Sequence, residues 1–98
     1  MTYKLKFDRK AKKAFDKLHE PVKSQFKAKL RELLSHPHIE GSALRGKLSG
    51  CYKIKLRTSG YRLIYKVEEG ELIVLVLAIG KRERNDAYLK AEKSIERN

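Results

Sequence analysis

Cys51-Tyr52-Lys53-Ile54-Lys55-Leu56-Arg57, joined through Thr58-Ser59-Gly60 to Tyr61-Arg62-Leu63-Ile64-Tyr65, is the stretch that decides the fold of this chain. Apolar and basic residues alternate in its first segment, which predicts a strand with one buried and one open face. We expect the apolar residues in a core and Lys53, Lys55 and Arg57 on the open face. The turn-forming tripeptide predicts a hairpin that brings Arg62 beside the lysines.

The hairpin therefore groups charges of one sign. Like charges on neighbouring strands repel, so the fold gains no stability from this group, and the group predicts an anionic partner. The whole chain is basic as well, because Lys plus Arg number 24 against 12 for Asp plus Glu, a net charge of +12. Such a field attracts nucleic acid, an anionic membrane surface or an acidic protein, and nucleic acid is the commonest of the three.

Length and composition predict one small globular domain over residues 1–98. A chain of 98 residues with 41% hydrophobic content suffices for one core but not for an additional cofactor-binding domain, so no cofactor is expected. The single Cys51 excludes an internal disulfide, and the first residues lack the apolar run of a signal peptide. The longest apolar run, Leu72–Ile79, is too short to cross a bilayer. We expect a soluble cytoplasmic protein without a membrane partner.

The residues before the hairpin predict a strand and two helices. Residues 2–7 alternate apolar and polar side chains, and Asp8 stands where an N-cap belongs. Helical spacing then predicts one helix from about residue 9 to 18 and, after a break at Pro21, a second helix to residue 35. With one strand on each side of this helical hairpin, the strand at Cys51 should run antiparallel to the first strand if both lie in one sheet.

The residues after the hairpin complete the predicted fold. Residues 67–71 predict a turn, and the apolar run Leu72–Ile79 predicts a central strand that is covered on both faces and ended by Gly80. Asn85 and Asp86 are the predicted caps of a last helix with a thin apolar face. The fold class is α+β, with a strand, a helical hairpin, a three-stranded antiparallel meander and a short C-terminal helix.

The two predicted helices have exposed faces dense in basic residues. A solvated helix face and a phosphate-tracking surface both explain this density, and the pattern leaves both open. The residues are Lys10, Lys12, Lys13, Lys17, Lys23, Lys27, Lys29 and Arg31. The histidines His19, His36 and His38 form no ligand set of recognisable spacing, so we expect structural or surface roles and no metal site.

The cationic residues suit RNA cleavage without a metal. In that reaction the 2′-oxygen attacks the adjacent phosphorus, so one proton must be removed, charge on the phosphoryl oxygens stabilised and the 5′-oxygen protonated. Arginine presents a fork of donors that fits phosphate, and a lysine transfers protons when neighbouring cations lower its pKa. An aromatic side chain stacks on an exposed base. The candidates for these roles are Lys53, Lys55, Arg62, Arg82 and Tyr88.

Each candidate also has a purely structural explanation. Alternating lysines are usually the wet face of a sheet, and Arg82 has Glu83 and Asp86 near it in sequence as ion-pair partners. Tyr88 has the sheet to pack on. On the residues alone, simple RNA or DNA binding therefore ranks above catalysis. Cys51 shares the predicted cationic face, which favours a lowered pKa, but without a neighbouring histidine it is not expected to be catalytic.

Four segments together resemble the bacterial toxins of the RelE/ParE superfamily and, within it, the RelE-type toxins. The segments are Leu44-Arg45-Gly46, Cys51–Arg57, Ser59–Tyr65 and Ile79–Arg84 followed by Tyr88. The likeness extends over nearly the whole chain, including the strand and helical hairpin before residue 36. It implies a single RelE-like toxin domain over residues 1–98 with a fold like that of the small microbial ribonucleases.

The resemblance implies an endonuclease that cleaves messenger RNA in the ribosomal A site without a metal or cofactor. Its active site would contain Lys53, Lys55, Arg62, Arg82 and Tyr88. The lysines would share proton transfer, the arginines would stabilise the pentacovalent phosphorus, and the tyrosine would stack on or orient the nucleotide. Cleavage would leave 2′,3′-cyclic phosphate and 5′-hydroxyl ends. Further contacts to ribosomal or messenger RNA, weakening with salt, are expected from Arg45, Lys10, Lys13, Lys27, Arg31 and Arg84.

The resemblance also implies a RelB-type antitoxin, which silences the toxin and binds operator DNA together with it. A basic surface and a weakly anchored terminal helix suit an acidic, partly disordered partner, and we expect this partner to displace the segment that carries Tyr88. One alternative is a ParE-type gyrase poison, which shares the fold but not the basic nuclease residues. Another is a non-catalytic module that binds RNA or the ribosome, in which changing Arg82 would weaken binding in proportion to activity.

Overall fold

The structure is a computed structural model that describes residues 2–81, 83 and 86–97. Its elements are β1 (Lys4–Phe7), α1 (Arg9–Asp16), α2 (Glu20–Leu33), β2 (Cys51–Lys55), β3 (Tyr61–Glu68), β4 (Ile73–Lys81) and α3 (Asp86–Arg97). Two short 3-10 turns, Glu40–Ser42 and Gly46–Leu48, lie between α2 and β2. The predicted α+β class and element order are confirmed. In the described part of the chain, no helix is both long and apolar enough to cross a membrane.

The four strands form one mixed sheet in the order β1-β4-β3-β2. β2, β3 and β4 make the predicted antiparallel meander, and β1 pairs with β4 in parallel. β4 therefore lies inside the sheet and is buried along most of its length, as its unbroken apolar run predicts. β2 is an edge strand.

The predicted direction of β2 is wrong. β1 is parallel to β4, and two antiparallel pairings follow, so β2 points the same way as β1. The prediction treated the two helices as two full passes along the sheet. α1 has only 8 residues, and α2 ends beside the start of β1, where the Tyr3 amide donates to the Leu34 carbonyl at 2.9 Å. The helices thus make one return, and β2 starts from the same end of the sheet as β1.

The two faces of the sheet carry different layers. α1 and α2 pack on one face, where Phe26 lies in the same buried cluster as Tyr65. α3 packs on the other face, where Ala91 joins Cys51 and Ile64. Because strand residues alternate between these two faces, the single sheet has two cores.

Several predicted boundaries differ from the structure. β2 ends at Lys55 instead of Arg57, and β3 continues to Glu68, into the segment predicted as a turn over residues 67–71. α1 ends at Asp16 and α2 at Leu33, each slightly earlier than the helical spacing predicts. β4 continues through Gly80 to Lys81 instead of ending at the glycine. The predicted N-cap is confirmed, because the Asp8 carboxylate accepts a hydrogen bond from the Lys10 amide at 3.2 Å.

A polar cluster ties the connection after α2 to the sheet. Nδ1 of His38 lies 2.8 Å from the hydroxyl oxygen of Tyr52, and Nε2 of the same ring pairs with the Glu69 carboxylate. The Tyr3 hydroxyl donates to the other oxygen of that carboxylate at 3.0 Å. The hydrogen bond from His38, followed by that from Tyr3, lowers the pKa of Glu69. His38 therefore links three parts of the fold.

Candidate functional site

The cations of the hairpin lie on one face of the sheet. Lys55 is directly opposite Arg62 in the β2–β3 ladder, and Lys53 is opposite Ile64. Since Ile64 packs in the cluster under α3, all three cations project from the face that carries α3. Lys55 is exposed, whereas Lys53 and Arg62 are half-buried. The predicted row of cations is present for Lys53 and Lys55, with Arg62 beside them, but Arg57 lies past the end of β2, in the turn before β3.

Arg62 lies at the junction of the sheet and α3. Its guanidinium carbon is 5.8 Å from the ring centroid of Tyr88, within the range of a cation–π contact. The Nε atom of Arg62 is buried and has no hydrogen-bond partner among the described residues. An unpaired buried donor on a cation costs free energy, so this arrangement suits an anionic ligand better than it suits the stability of the fold.

Gly80 allows α3 to start close to this site. It is paired with Arg62 in the β3–β4 ladder. A Cβ atom at position 80 would clash with the Asp86 carboxylate and lie 2.9 Å from the Ala87 amide nitrogen. The sequence pattern predicted only that Gly80 ends a strand, and this function of the glycine was missed. A glycine inside an apolar run is a signal of close backbone approach, and that signal was present in the sequence.

Two of the predicted site residues, Arg82 and Arg84, lie outside the described residues, as does the predicted cap Asn85. One described residue shortly before this stretch, Gly80, lies beside Arg62. Gly80 is the ladder partner of Arg62, and Asp86 packs against Gly80.

The cationic face is not neutralised by carboxylates of the described chain. The ion pairs found among the described residues are Lys12–Asp16, Lys23–Glu20, His38–Glu69, Lys66–Glu68 and Lys90–Asp86. None of them includes Lys53, Lys55 or Arg62. The positive charge of these residues therefore remains available to an anion from outside the chain.

Cys51 lies on the lysine face as predicted, but the predicted lowering of its pKa is wrong. Its thiol is buried in the cluster that contains Ala87 and Ala91 of α3. Burial raises the pKa of Cys51 and outweighs the opposing effect of the Lys66 charge. The alternating pattern places Cys51 on the same face as the lysines, but it does not reveal that a distant helix covers that end of the face.

The other predicted RNA-binding residues fall on two surfaces. Arg45 is exposed just before the Gly46–Leu48 turn, and Leu48 packs in the cluster under α3. Arg45 is therefore on the same side of the sheet as the lysine row. The remaining four cations are exposed on α1 and α2, the helices that pack on the opposite face, and these are Lys10, Lys13, Lys27 and Arg31. Lys10 also lines a cavity together with Lys90 and Lys93 of α3.

The arrangement offers hydrogen-bond donors to an anion. Three cations and one aromatic ring converge at the junction of β2, β3 and α3. Among the described residues, no group of three or more His, Cys, Asp or Glu side chains is placed to hold a metal ion. Phosphate and carboxylate are the biological anions whose geometry a guanidinium fork matches, so both an RNA backbone and an acidic chain suit this group.

Comparison with known proteins gives the class to which this fold and site belong. A family model described as the ParE toxin of type II toxin–antitoxin systems matches residues 5–86. That range begins in β1, includes the whole cationic hairpin and reaches the first residue of α3. The chain is therefore one of the small toxins that are paired with an antitoxin. It belongs to the ParE toxin family of type II toxin–antitoxin systems.

Similar proteins within this class carry the name RelE. The mRNA interferase toxin RelE of Escherichia coli strain K12 is 50% identical over 95 residues, which are 97% of this chain and 99% of the relative. A free double-substitution variant of E. coli toxin RelE has a TM-score of 0.88 at 47% identity, covering 97% of this chain and 99% of that one. These likenesses confirm the predicted resemblance to the RelE-type toxins and the predicted fold.

A structure of a toxin–antitoxin complex is also similar. In the intact E. coli RelBE complex, the matching chain has a TM-score of 0.79 at 50% identity, covering 84% of this chain and 99% of that one. The similarity therefore extends to a relative that has been observed with its antitoxin.

Proposed function

We propose that this chain is a toxin that cleaves messenger RNA in the ribosomal A site and is silenced by a RelB-type antitoxin. The observation that carries the proposal is the alignment of Lys53, Lys55 and Arg62 on one face of the β2–β3 ladder, with Tyr88 of α3 against Arg62. The same activity is supported by 50% sequence identity, over nearly the full length, to a protein named mRNA interferase toxin RelE.

In the proposed reaction the 2′-hydroxyl of one nucleotide attacks the adjacent phosphorus. A basic group removes the 2′-proton, the new bond from the 2′-oxygen to phosphorus forms, and the bond from phosphorus to the 5′-oxygen breaks as that oxygen receives a proton. Lys53 and Lys55 would share these two proton transfers. The products are a 2′,3′-cyclic phosphate and a 5′-hydroxyl, so no water or metal is consumed in the step.

Arg62 and Arg82 would stabilise the extra charge of the pentacovalent phosphorus. A guanidinium keeps its charge and donates in a fork, which matches two phosphoryl oxygens at once. The unpaired buried Nε of Arg62 supports its part in this role. Tyr88 would hold the nucleotide by stacking, because its ring already lies at the site and is half-buried.

Dependence on the ribosome follows because the lysines that would transfer protons are not accompanied by a strong base. At such a site the rate of cleavage increases most when the ribosome holds the attacking oxygen, the phosphorus and the leaving oxygen in line. The exposed cations Arg45, Lys10, Lys13, Lys27 and Arg31 would contact ribosomal or messenger RNA. Arg84, which lies outside the described residues, would add a further contact. Activity on ribosomes places the protein in the cytoplasm.

The antitoxin would act on α3. The residues that this helix buries completely are small, since Ala87, Ala91 and Ser94 are all 0% exposed, whereas Leu89 is 53% exposed. Small side chains bury little apolar area, and an acidic partner that replaced α3 would remove Tyr88 from Arg62. The toxin would bind operator DNA only as part of the antitoxin complex.

Cleavage of one end-labelled messenger RNA tests this proposal. The RNA is offered alone and on purified ribosomes with an empty A site, with the natural chain, Arg82→Ala and the control Lys6→Ala on exposed β1. Cutting confined to the A-site codon, lost in Arg82→Ala while ribosome binding is kept, is the expected result. Loss of binding in proportion to cutting would favour the non-catalytic module, and growth arrest without any cut would favour the gyrase poison.

A further inference from the structure

A groove runs beside the free edge of β2 and is separate from the Arg62–Tyr88 contact. It has a volume of about 660 Å³. Lys29 and Glu32 of α2 line it together with Lys53 and Lys55 of β2 and Arg57 of the following turn. Both lysines of the proposed active site therefore also line this groove.

Backbone groups of β2 face into the groove. The Leu56 amide donates to the Tyr61 carbonyl at 2.9 Å, on the side of β3. Donors and acceptors of a strand alternate in direction, so the amide and carbonyl of Lys55 point away from β3. The opposite edge of the strand is used at its start, where the Cys51 carbonyl accepts from the Leu44 amide at 2.9 Å. Tyr52 also forms an isolated antiparallel bridge with Ala43 on this edge, and beyond that bridge the edge at Lys55 faces the groove.

The charge of the groove is strongly positive. Four cations, Lys29, Lys53, Lys55 and Arg57, line it together with a single carboxylate, that of Glu32. None of these five side chains takes part in an ion pair within the described part of the chain. The net charge of the walls is thus available to a polyanion.

We propose that this groove holds the ribose–phosphate backbone of the RNA strand that flanks the cleaved phosphate. The inference rests on the proposed function, because the groove opens from the lysines that would act on that phosphate. Lys29 of α2 and Arg57 of the turn after β2 contact phosphates next to the scissile one. The Lys55 amide is a further donor to a phosphate oxygen.

The lining favours RNA over an acidic peptide. A peptide strand added to a sheet edge requires pockets for its alternate side chains. Of the apolar residues that line the groove, Leu33 and Ile54 are only 5% and 7% exposed, and Ile39 at 43% is the sole exposed one among the described residues. A phosphate backbone requires only spaced cations and donors, which the walls supply.

The test combines a protein variant with a modified substrate. Lys29→Ala/Arg57→Ala is compared with Lys4→Ala/Lys6→Ala, which has the same change in charge on exposed β1 at the opposite edge of the sheet. The messenger RNA carries one uncharged methylphosphonate at successive positions flanking the cut, and single-turnover cleavage is measured on ribosomes. Thermal unfolding verifies that both variants fold.

We expect one or two positions at which the methylphosphonate slows the natural chain about tenfold and does not slow Lys29→Ala/Arg57→Ala further. The control variant should respond to every modified RNA as the natural chain does. If the effects of the substitutions and of the methylphosphonate on the cleavage rate multiply at every position, the proposed RNA-binding role of the groove is wrong, whereas the nuclease activity is unaffected. The proposed role is also wrong if Lys29→Ala/Arg57→Ala loses affinity for a polyglutamate peptide but not for RNA.

Failure of the proposed function is distinguished by the natural chain itself. If the natural chain makes no cut on ribosomes, equilibrium binding of the modified RNAs to the two variants is measured instead. Coupling then means that the methylphosphonate does not weaken the binding of a variant further. Coupling confined to Lys29→Ala/Arg57→Ala supports the groove even then, and absence of coupling in binding overturns it.

Discussion

The guanidinium carbon of Arg62, on strand β3, lies 5.8 Å from the ring centroid of Tyr88, on helix α3. This contact joins the rigid sheet to the helix that buries only small residues completely. The cationic ladder is fixed by backbone pairing, but the aromatic side of the site is present only while α3 stays docked. The proposed catalytic site therefore combines side chains on the sheet with a side chain on a separate helix.

Removing only the hydroxyl of Tyr88 should have a small effect. Tyr88→Phe keeps the ring that contacts Arg62 and would stack on a base, so single-turnover cleavage on ribosomes should stay within about tenfold of the natural chain. Tyr88→Ala removes the ring as well and should lose about a hundredfold or more. Equal, large losses in both variants would instead assign proton transfer to the hydroxyl, because such transfer contributes roughly 10²–10⁴-fold.

Adding one methyl group at Gly80 should move α3. In Gly80→Ala the new Cβ meets the Asp86 carboxylate and the Ala87 backbone, so we expect a loss of about 1–3 kcal/mol in the free energy of unfolding. Cleavage should fall further than stability explains, because Tyr88 is shifted from Arg62. Gly70→Ala is the matched control, since nothing lies within 4 Å of a Cβ there. Identical urea melts and identical activities for the two variants would contradict this role of Gly80.

The alternation of Lys53, Lys55 and the neighbouring apolar residues was sufficient to predict the hairpin and its cationic face, because period-two patterning and turn chemistry are local properties. The direction of β2 was not predictable in this way. It depends on where α2 ends in space, which is set by the contact of Leu34 with Tyr3, two residues far apart in sequence.

The environment of Cys51 was missed for the same reason. Its position on the lysine face followed from the pattern, whereas its burial depends on α3, which lies far along the chain. The role of Gly80 likewise requires knowledge of what packs on it. The local half of the site was thus predictable from the sequence, and the half made by α3 was not.

Acid should weaken the fold through Glu69. Its pKa is lowered in the folded chain, mainly by the hydrogen bond from His38, so the folded state binds fewer protons than the unfolded state. The resulting stability is fully present above the ordinary pKa of a glutamate and is lost as the pH falls through the lowered value.

Urea unfolding between about pH 7 and pH 3 checks this pH dependence. Glu69→Gln should reduce stability at neutral pH and flatten its decline toward acid. Glu71→Gln, an exposed change of the same charge that breaks no hydrogen bond or ion pair found in the described chain, should leave the natural slope. A Glu69→Gln profile parallel to that of the natural chain would contradict the assignment.

The thiol of Cys51 should report whether α3 is docked. It is only 1% exposed beneath Ala87 and Ala91, and burial raises its pKa, so a thiol reagent should label the folded chain slowly. Ala91→Glu places a charge in that cluster and should expel the helix, since an unpaired buried charge is very costly. Labelling of Cys51 should then rise at least tenfold while the sheet stays folded. Leu89→Glu introduces the same residue at an exposed position of the same helix and should label as slowly as the natural chain. If both variants label slowly although cleavage is lost only in Ala91→Glu, then α3 stays docked, and control of the site by removal of Tyr88 is wrong.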